Sequence, residues 1–175
     1  MRNATPFDVG DRVVYPHHGA AVIERKEQRD SFGEQREYLV LHADQGDLTL
    51  LVPADNTEEV GLRQVIDEDD AAEVFAVLAR RGAHVPSNWS RRFKNHMEKL
   101  KSGDIYQVAE VVRNLSVRRV EKPLAAAEAR MLATARWILA SELALALAVT
   151  EEDAQHRVDE ALSRRGDPPT PLLSL

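Results

Sequence analysis

Short apolar runs punctuate the first 66 residues: Arg12-Val13-Val14-Tyr15, Ala20 to Ile23, Glu37 to Leu41 and Leu48 to Val52. Gly10-Asp11, His18-Gly19, Ser31-Phe32-Gly33, Gln45-Gly46-Asp47 and Pro53 separate them. Each separator is a turn signal with a cause. Glycine accepts positive φ, Asp hydrogen-bonds back to its own turn, and Pro donates nothing to a ladder. Four or five strands of this length cannot enclose a large core as an open sheet. The pattern therefore predicts a small curled β-barrel of the SH3-like or Tudor-like kind over residues 1–66.

From Val65 onward the apolar period changes from strand to helix. The acidic run Asp67-Glu68-Asp69-Asp70 precedes Val74, Phe75, Val77 and Leu78, so it complements a helix N-terminus better than it forms a metal site. A loop over Gly82 to Pro86 leads to a second helix starting at Ser87 or Asn88 and ending near Ser102-Gly103-Asp104. A third helix follows to about Glu121. Pro123 suits the opening of a fourth, alanine-rich and apolar on most sides, which marks it as the buried centre of a bundle. Thr150 and Asp153 have capping-box spacing for a last helix with Ala154, Val158, Ala161 and Leu162 on one face. The expected architecture is α+β: a β-barrel domain over residues 1–66, an all-α helical bundle over 67–165, and a proline-containing disordered tail over 166–175.

Composition narrows the functional classes. Cysteine is absent, which removes disulfide frameworks, thiolate metal sites and cysteine nucleophiles. The richest apolar stretch, Leu124 to Val149, is broken by Glu128, Arg130, Arg136 and Glu142, so no bilayer span and no membrane partner is expected, and a cytoplasmic location is. There is no nucleotide-binding glycine loop, no paired-histidine zinc motif and no nucleophile elbow. Adjacent His17 and His18 would point to opposite sides of a strand and cannot share a metal. No catalytic residue, metal, cofactor or small-molecule ligand is expected; the protein does not read as an enzyme.

The net charge of −6 conceals an asymmetry. Residues 1–79 carry 7 Lys and Arg against 17 Asp and Glu, whereas residues 80–122 carry 11 against 4. An acidic first half beside a basic middle implies two surfaces with different partners. The basic stretch contains Asn88-Trp89-Ser90-Arg91-Arg92-Phe93-Lys94. On a helix, Trp89, Phe93, His96 or Met97, and Leu100 form one stripe, with Arg91, Lys94 and Lys101 on an adjacent face and Arg92 and Lys99 on the other flank. Cations beside an aromatic at a helix start suit nucleic acid: charge and free N–H groups meet phosphates, and the ring stacks on or wedges between bases. An apolar-stripe aromatic is equally at home in a core.

The segments Val9-Gly10-Asp11-Arg12-Val13-Val14-Tyr15-Pro16-His17-His18-Gly19, Gln45-Gly46-Asp47-Leu48-Thr49, Asn88-Trp89-Ser90-Arg91-Arg92, Ser102-Gly103-Asp104 and Glu142-Leu143-Ala144-Leu145-Ala146 occur in order along both halves. In them, over roughly residues 7–162, the chain resembles the CarD/CdnL family of bacterial RNA polymerase-binding transcription regulators. The N-terminal part is also similar to the polymerase-interacting module of the transcription-repair coupling factor, but no helicase motif is present. The resemblance implies a Tudor-like domain that binds the polymerase β subunit and a helical domain that contacts promoter DNA at the upstream fork of the transcription bubble. It further implies a monomer, associated with the nucleoid through the polymerase, whose tryptophan wedges into the minor groove and stabilises the open promoter complex.

Residue by residue, the resemblance places DNA contacts on Trp89, Arg91, Arg92, Lys94 and Arg118, and polymerase contacts on Arg29 and Leu51. Leu51 stands where close relatives carry an arginine. Ala129 replaces a basic residue, and Ser116 replaces a bulky aromatic. These departures and the acidic average leave a second expectation: a polymerase-binding interaction adaptor with little DNA contact.

Overall fold

A computed structural model describes residues 5–16, 18–43, 47–81 and 85–164. His17, the loop residues 82–84, most of the Gln45-Gly46-Asp47 turn and the expected tail over 166–175 lie outside them. The architecture is α+β. Strands β1 (Arg12–Tyr15), β2 (Gly19–Ser31), β3 (Glu34–Ala43), β4 (Leu48–Pro53) and β5 (Arg63–Gln64) precede helices α1 (Glu68–Ala79), α2 (Trp89–Lys101), α3 (Ile105–Glu121), α4 (Ala126–Leu147) and α5 (Glu151–Ser163).

The strands form one antiparallel sheet in the order β4-β3-β2-β1-β5. Among the described residues β4 and β5 are its two edges and do not pair. The sheet is therefore open, where short strands had predicted a closed barrel. Closure is unnecessary because segments outside the strands cover the apolar face. Phe7, Ala54 and Leu62 pack with Val13, Ala21, Ile23, Leu39, Leu41 and Val52 into one buried cluster.

β2 is 13 residues long, far beyond the apolar run Ala20 to Ile23. Past a register shift between Ile23 and Arg25, it pairs with β3 as far as Ser31 opposite Glu34. Polar residues occupy both faces of this extension, so it has no hydrophobic alternation to reveal it. Backbone ladder bonds carry the pairing instead.

The helices begin where short polar side chains can cap them. Asp67 Oδ1 accepts from Asp70 N at 2.8 Å, Asn88 Oδ1 from Arg91 N at 3.1 Å, and Thr150 Oγ1 from Asp153 N at 3.1 Å. α4 starts at Ala126, three residues later than Pro123 suggests, without a side-chain cap. It runs through the bundle centre, burying Met131, Leu132, Ala135, Ile138, Leu139 and Leu143 against α1, α3 and α5.

α4 also joins the bundle to the sheet. Ser141 Oγ accepts from Ala20 N at 3.3 Å, and Arg12 Nη1 donates to the carbonyl oxygen of Leu145 at 2.9 Å. Gly19 has φ +74°, and a Cβ there would lie 2.9 Å from the Trp137 ring. Glycine is thus required twice at this contact, by conformation and by space.

Candidate nucleic-acid interface

The basic segment opens α2. Trp89 is its first residue, directly after the Asn88 cap, so its side chain leaves the bundle where the helix begins. Trp89 as a residue is 44% exposed. One face of its ring lies on Phe93, one helical turn later, with centroids 5.1 Å apart and planes 16° from parallel. Phe93 in turn packs against the helical core. Trp89 is therefore braced from beneath and bare above.

Arg91 and Lys94 are exposed beside it and make no ion pair among the described residues. The short turn at Ser102–Asp104 folds α3 back along α2, which brings the C-terminal end of α3 beside the start of α2. Arg118 thereby joins the cationic end of the bundle, lining one cavity with Arg92. Arg118 is about one-third exposed and its Nε stands 3.7 Å from Glu128 Oε2.

Arg92 differs from the expectation. It is 2% exposed, and its Nη2 donates to Glu128 Oε1 at 2.9 Å while Nη1 donates to the carbonyls of Pro86 and Ser87 at 3.3 and 3.2 Å. A guanidinium spent on a buried carboxylate and two carbonyls has nothing left for a phosphate. Arg92 is an anchor, clamping the start of α2 and the preceding loop to α4. Residues 92, 96 and 100 form the buried face of α2, while 89, 93 and 97 lie at its half-buried margin. The boundary of the apolar stripe is shifted by one column from that read in the sequence.

Below Arg92, His96 is 2% exposed and neither ring nitrogen has a hydrogen-bond partner among the described residues. Burial, reinforced by the positive charge of Lys99, pushes its pKa down to about 4, although Glu128 opposes the shift. The imidazole is neutral at physiological pH. It lines two adjoining cavities of about 330 and 300 Å³ between α2 and α3, with Arg92, Asn114 and Val85 common to both.

The two expected polymerase-contact residues lie on the sheet. Arg29 pairs with Arg36, Val40 pairs with Leu51, and positions 36 and 40 share a face by alternation. Arg29 and Leu51 therefore project from the same side of the sheet. Both are exposed, Leu51 by 41% on the edge strand β4. Arg29 is not a free charge: its Nη2 lies 3.0 Å from Glu27 Oε2. Arg25 and Arg29 together hold the Glu27 carboxyl below its ordinary pKa. Ala129 is exposed next to Glu128 at the start of α4, and Ser116 is buried, its hydroxyl without a hydrogen-bond partner among the described residues.

The buried acids Glu128 and Glu142 were not distinguishable as functional supports from sequence, where they show only as interruptions of an apolar run. That interruption was the available signal: a carboxylate inside a core helix requires a cationic partner. Among the described residues no cluster of three or more His, Asp or Glu could hold a metal, and no single helix is long and apolar enough to cross a membrane.

Comparison with known families agrees with this two-part organisation. Residues 7–66 match the description "CarD-like/TRCF RID domain", and residues 73–159 match "CarD, C-terminal domain". The chain belongs to the CarD family. It is 32% identical over 146 residues to the Bacillus subtilis (strain 168) protein named "Putative transcription factor YdeB", a match covering 83% of this chain and 95% of that protein. CarD-family proteins are transcription factors, not enzymes, and the first matched region is a polymerase-interacting one. In this CarD-family chain the cationic end with Trp89 lies in the C-terminal match, and Arg29 and Leu51 lie in the N-terminal one.

Proposed function

We propose that this protein docks on the β subunit of RNA polymerase through its N-terminal sheet and grips promoter DNA at the upstream edge of the transcription bubble with the start of α2, stabilising the open complex. The observation that carries this reading is Trp89: a half-exposed residue, stacked on Phe93 and flanked by the exposed cations Arg91 and Lys94, which make no ion pair among the described residues. Arg91, Lys94 and the partly exposed Arg118 would neutralise phosphates. The indole would fill the gap between unstacked bases at the fork and hinder re-annealing. Stacking a base on an aromatic is worth about 1–3 kcal/mol, which shifts a melting equilibrium roughly five- to a hundredfold. Among the described residues no helix displays a row of base-reading Asn, Gln and Arg, so placement at a promoter would come from the polymerase and from DNA shape. The proposed working unit is a monomer in the cytoplasm, a docking domain through residue 66 and a DNA-contacting domain from 67.

The test is promoter opening in vitro with the cognate polymerase. Trp89→Ala is expected to abolish open-complex stabilisation while unfolding at nearly the same urea concentration. A loss of about 3–5 kcal/mol, the cost of emptying a packed aromatic site, would assign Trp89 to the core and remove the wedge.

A polymerase-binding adaptor with little DNA contact is the second reading. It is favoured by the internal commitment of Arg92 and by the uncharged Ala129 at the start of α4. Salt separates the two: several phosphate contacts make affinity fall steeply with ionic strength, and an adaptor lacks that slope.

A further inference from the structure

The β2–β3 hairpin continues beyond the rest of the sheet. β4 ends at Pro53, opposite Tyr38, and four cross-strand pairs lie past it, from Gln28–Glu37 to Ser31–Glu34. At about 3.3 Å per residue this makes an arm about 13 Å long. Among the described residues, its base is held by Ala54 N donating to the Glu37 carbonyl and by the Arg36–Asp55 ion pair. No described residue covers its outer end, where residues 28–30 and 32–35 are exposed.

At the apex stands Phe32, fully exposed. It forms a two-residue loop with Gly33, and both have positive φ, +55° and +85°. Such a loop favours Asn or Asp followed by Gly. A bulky side chain at positive φ is disfavoured by its own Cβ, and a bare aromatic ring forgoes burial. Phe32 is thus unfavourable for the free protein on two independent counts. Asp30 Oδ1 accepts from Gly33 N at 2.9 Å and supplies the turn's local support without any contribution from the ring.

We propose that Phe32 is an aromatic anchor that enters an apolar pocket on the polymerase subunit to which the N-terminal sheet docks. This rests on the docking reading given above. Phe32 is three residues from Arg29 on the same hairpin, so the arm extends the proposed contact surface outward. DNA is a poor occupant of this tip. Asp30 and Glu34 flank the ring, while Arg29 and Arg36 are engaged by Glu27 and Asp55. A protein pocket repays the exposed ring and the strained turn at once, because aromatics that fill a desolvated pocket dominate interface energetics.

The experiment measures binding of the full chain to purified cognate RNA polymerase, with urea unfolding in parallel, for Phe32→Asn, Phe32→Tyr and Arg29→Ala. Phe32→Asn is expected to raise the dissociation constant fivefold or more while the urea midpoint stays equal or rises, since Asn suits the turn. Phe32→Tyr should retain binding within threefold. A rise of less than fivefold for Phe32→Asn overturns the anchor, as does a fall in its urea midpoint, which would give the ring a structural role. If Arg29→Ala weakens binding and Phe32→Asn does not, docking stands and the anchor falls. If the unsubstituted chain fails to bind polymerase, the docking reading falls and takes the anchor with it.

Discussion

Arg63, on the last short strand of the sheet, grips Glu142 on the central helix with both guanidinium nitrogens, Nη1 to Oε1 at 2.5 Å and Nη2 to Oε2 at 2.8 Å. The carboxylate is fully buried and also accepts from Ile66 N at 3.1 Å. Arg63 Nε donates to the Gly103 carbonyl in the α2–α3 turn at 2.9 Å. One side chain therefore ties the sheet to α4 and to the α2–α3 turn, so under the proposed function a dock on the sheet would set where Trp89 points.

Arg63→Ala leaves Glu142 charged and unpaired in the interior, a defect that costs about 3–5 kcal/mol. Urea unfolding should show that loss. Replacing Glu142 as well, in Arg63→Ala with Glu142→Gln, should recover part of it, because the uncompensated charge is gone. Opening of a promoter should fall further than polymerase binding does.

Arg91 and Arg92 are neighbours with opposite fates. Arg92→Ala strands Glu128, which is 2% exposed and then has only the more distant Arg118, so a loss of about 3 kcal/mol or more is expected. Arg91→Ala should change stability by less than about 0.5 kcal/mol while weakening DNA affinity and flattening its salt dependence. Equal stabilities for the two variants would refute the anchor role of Arg92.

His96 makes stability depend on pH. Its folded pKa of about 4 lies below the ordinary histidine value near 6.5, so the unfolded chain binds more protons between them. Its contribution is complete above about pH 6.5 and is lost progressively as pH falls towards 4, by up to about 3 kcal/mol. Lys99 and Arg92 drive the shift alongside burial, and Glu128 moderates it. Urea midpoints at pH 7.5, 6 and 5 should decline more steeply for the unsubstituted protein than for His96→Leu. Parallel declines would mean that the imidazole titrates normally.

Leu51→Arg is expected to tighten polymerase binding, because it adds a further cation to the face of the sheet that carries Arg29. Position 51 is 41% exposed on an edge strand, so the longer side chain meets no packing obstacle. An unchanged titration would move the dock away from this face.

The amino-acid order was sufficient for the α+β division, the helix starts at Asp67, Asn88, Asp104 and Thr150, and the burial of α4. Each of these depends on neighbours within a turn or two, or on a period that repeats along one element. Trp89 at a helix start among cations was legible for the same reason. Tertiary structure alone decided which charges are surface and which are struts. Arg91 and Arg92 are chemically identical in the chain, and only the approach of Glu128 from a helix 36 residues away separates them. The same holds for Glu142, whose partner Arg63 is 79 residues distant. The open sheet and the polar arm ending at Phe32 were likewise hidden. Ladder bonds between backbones leave no mark on side-chain hydropathy, and the covering of an apolar face by loops is set by packing across the fold.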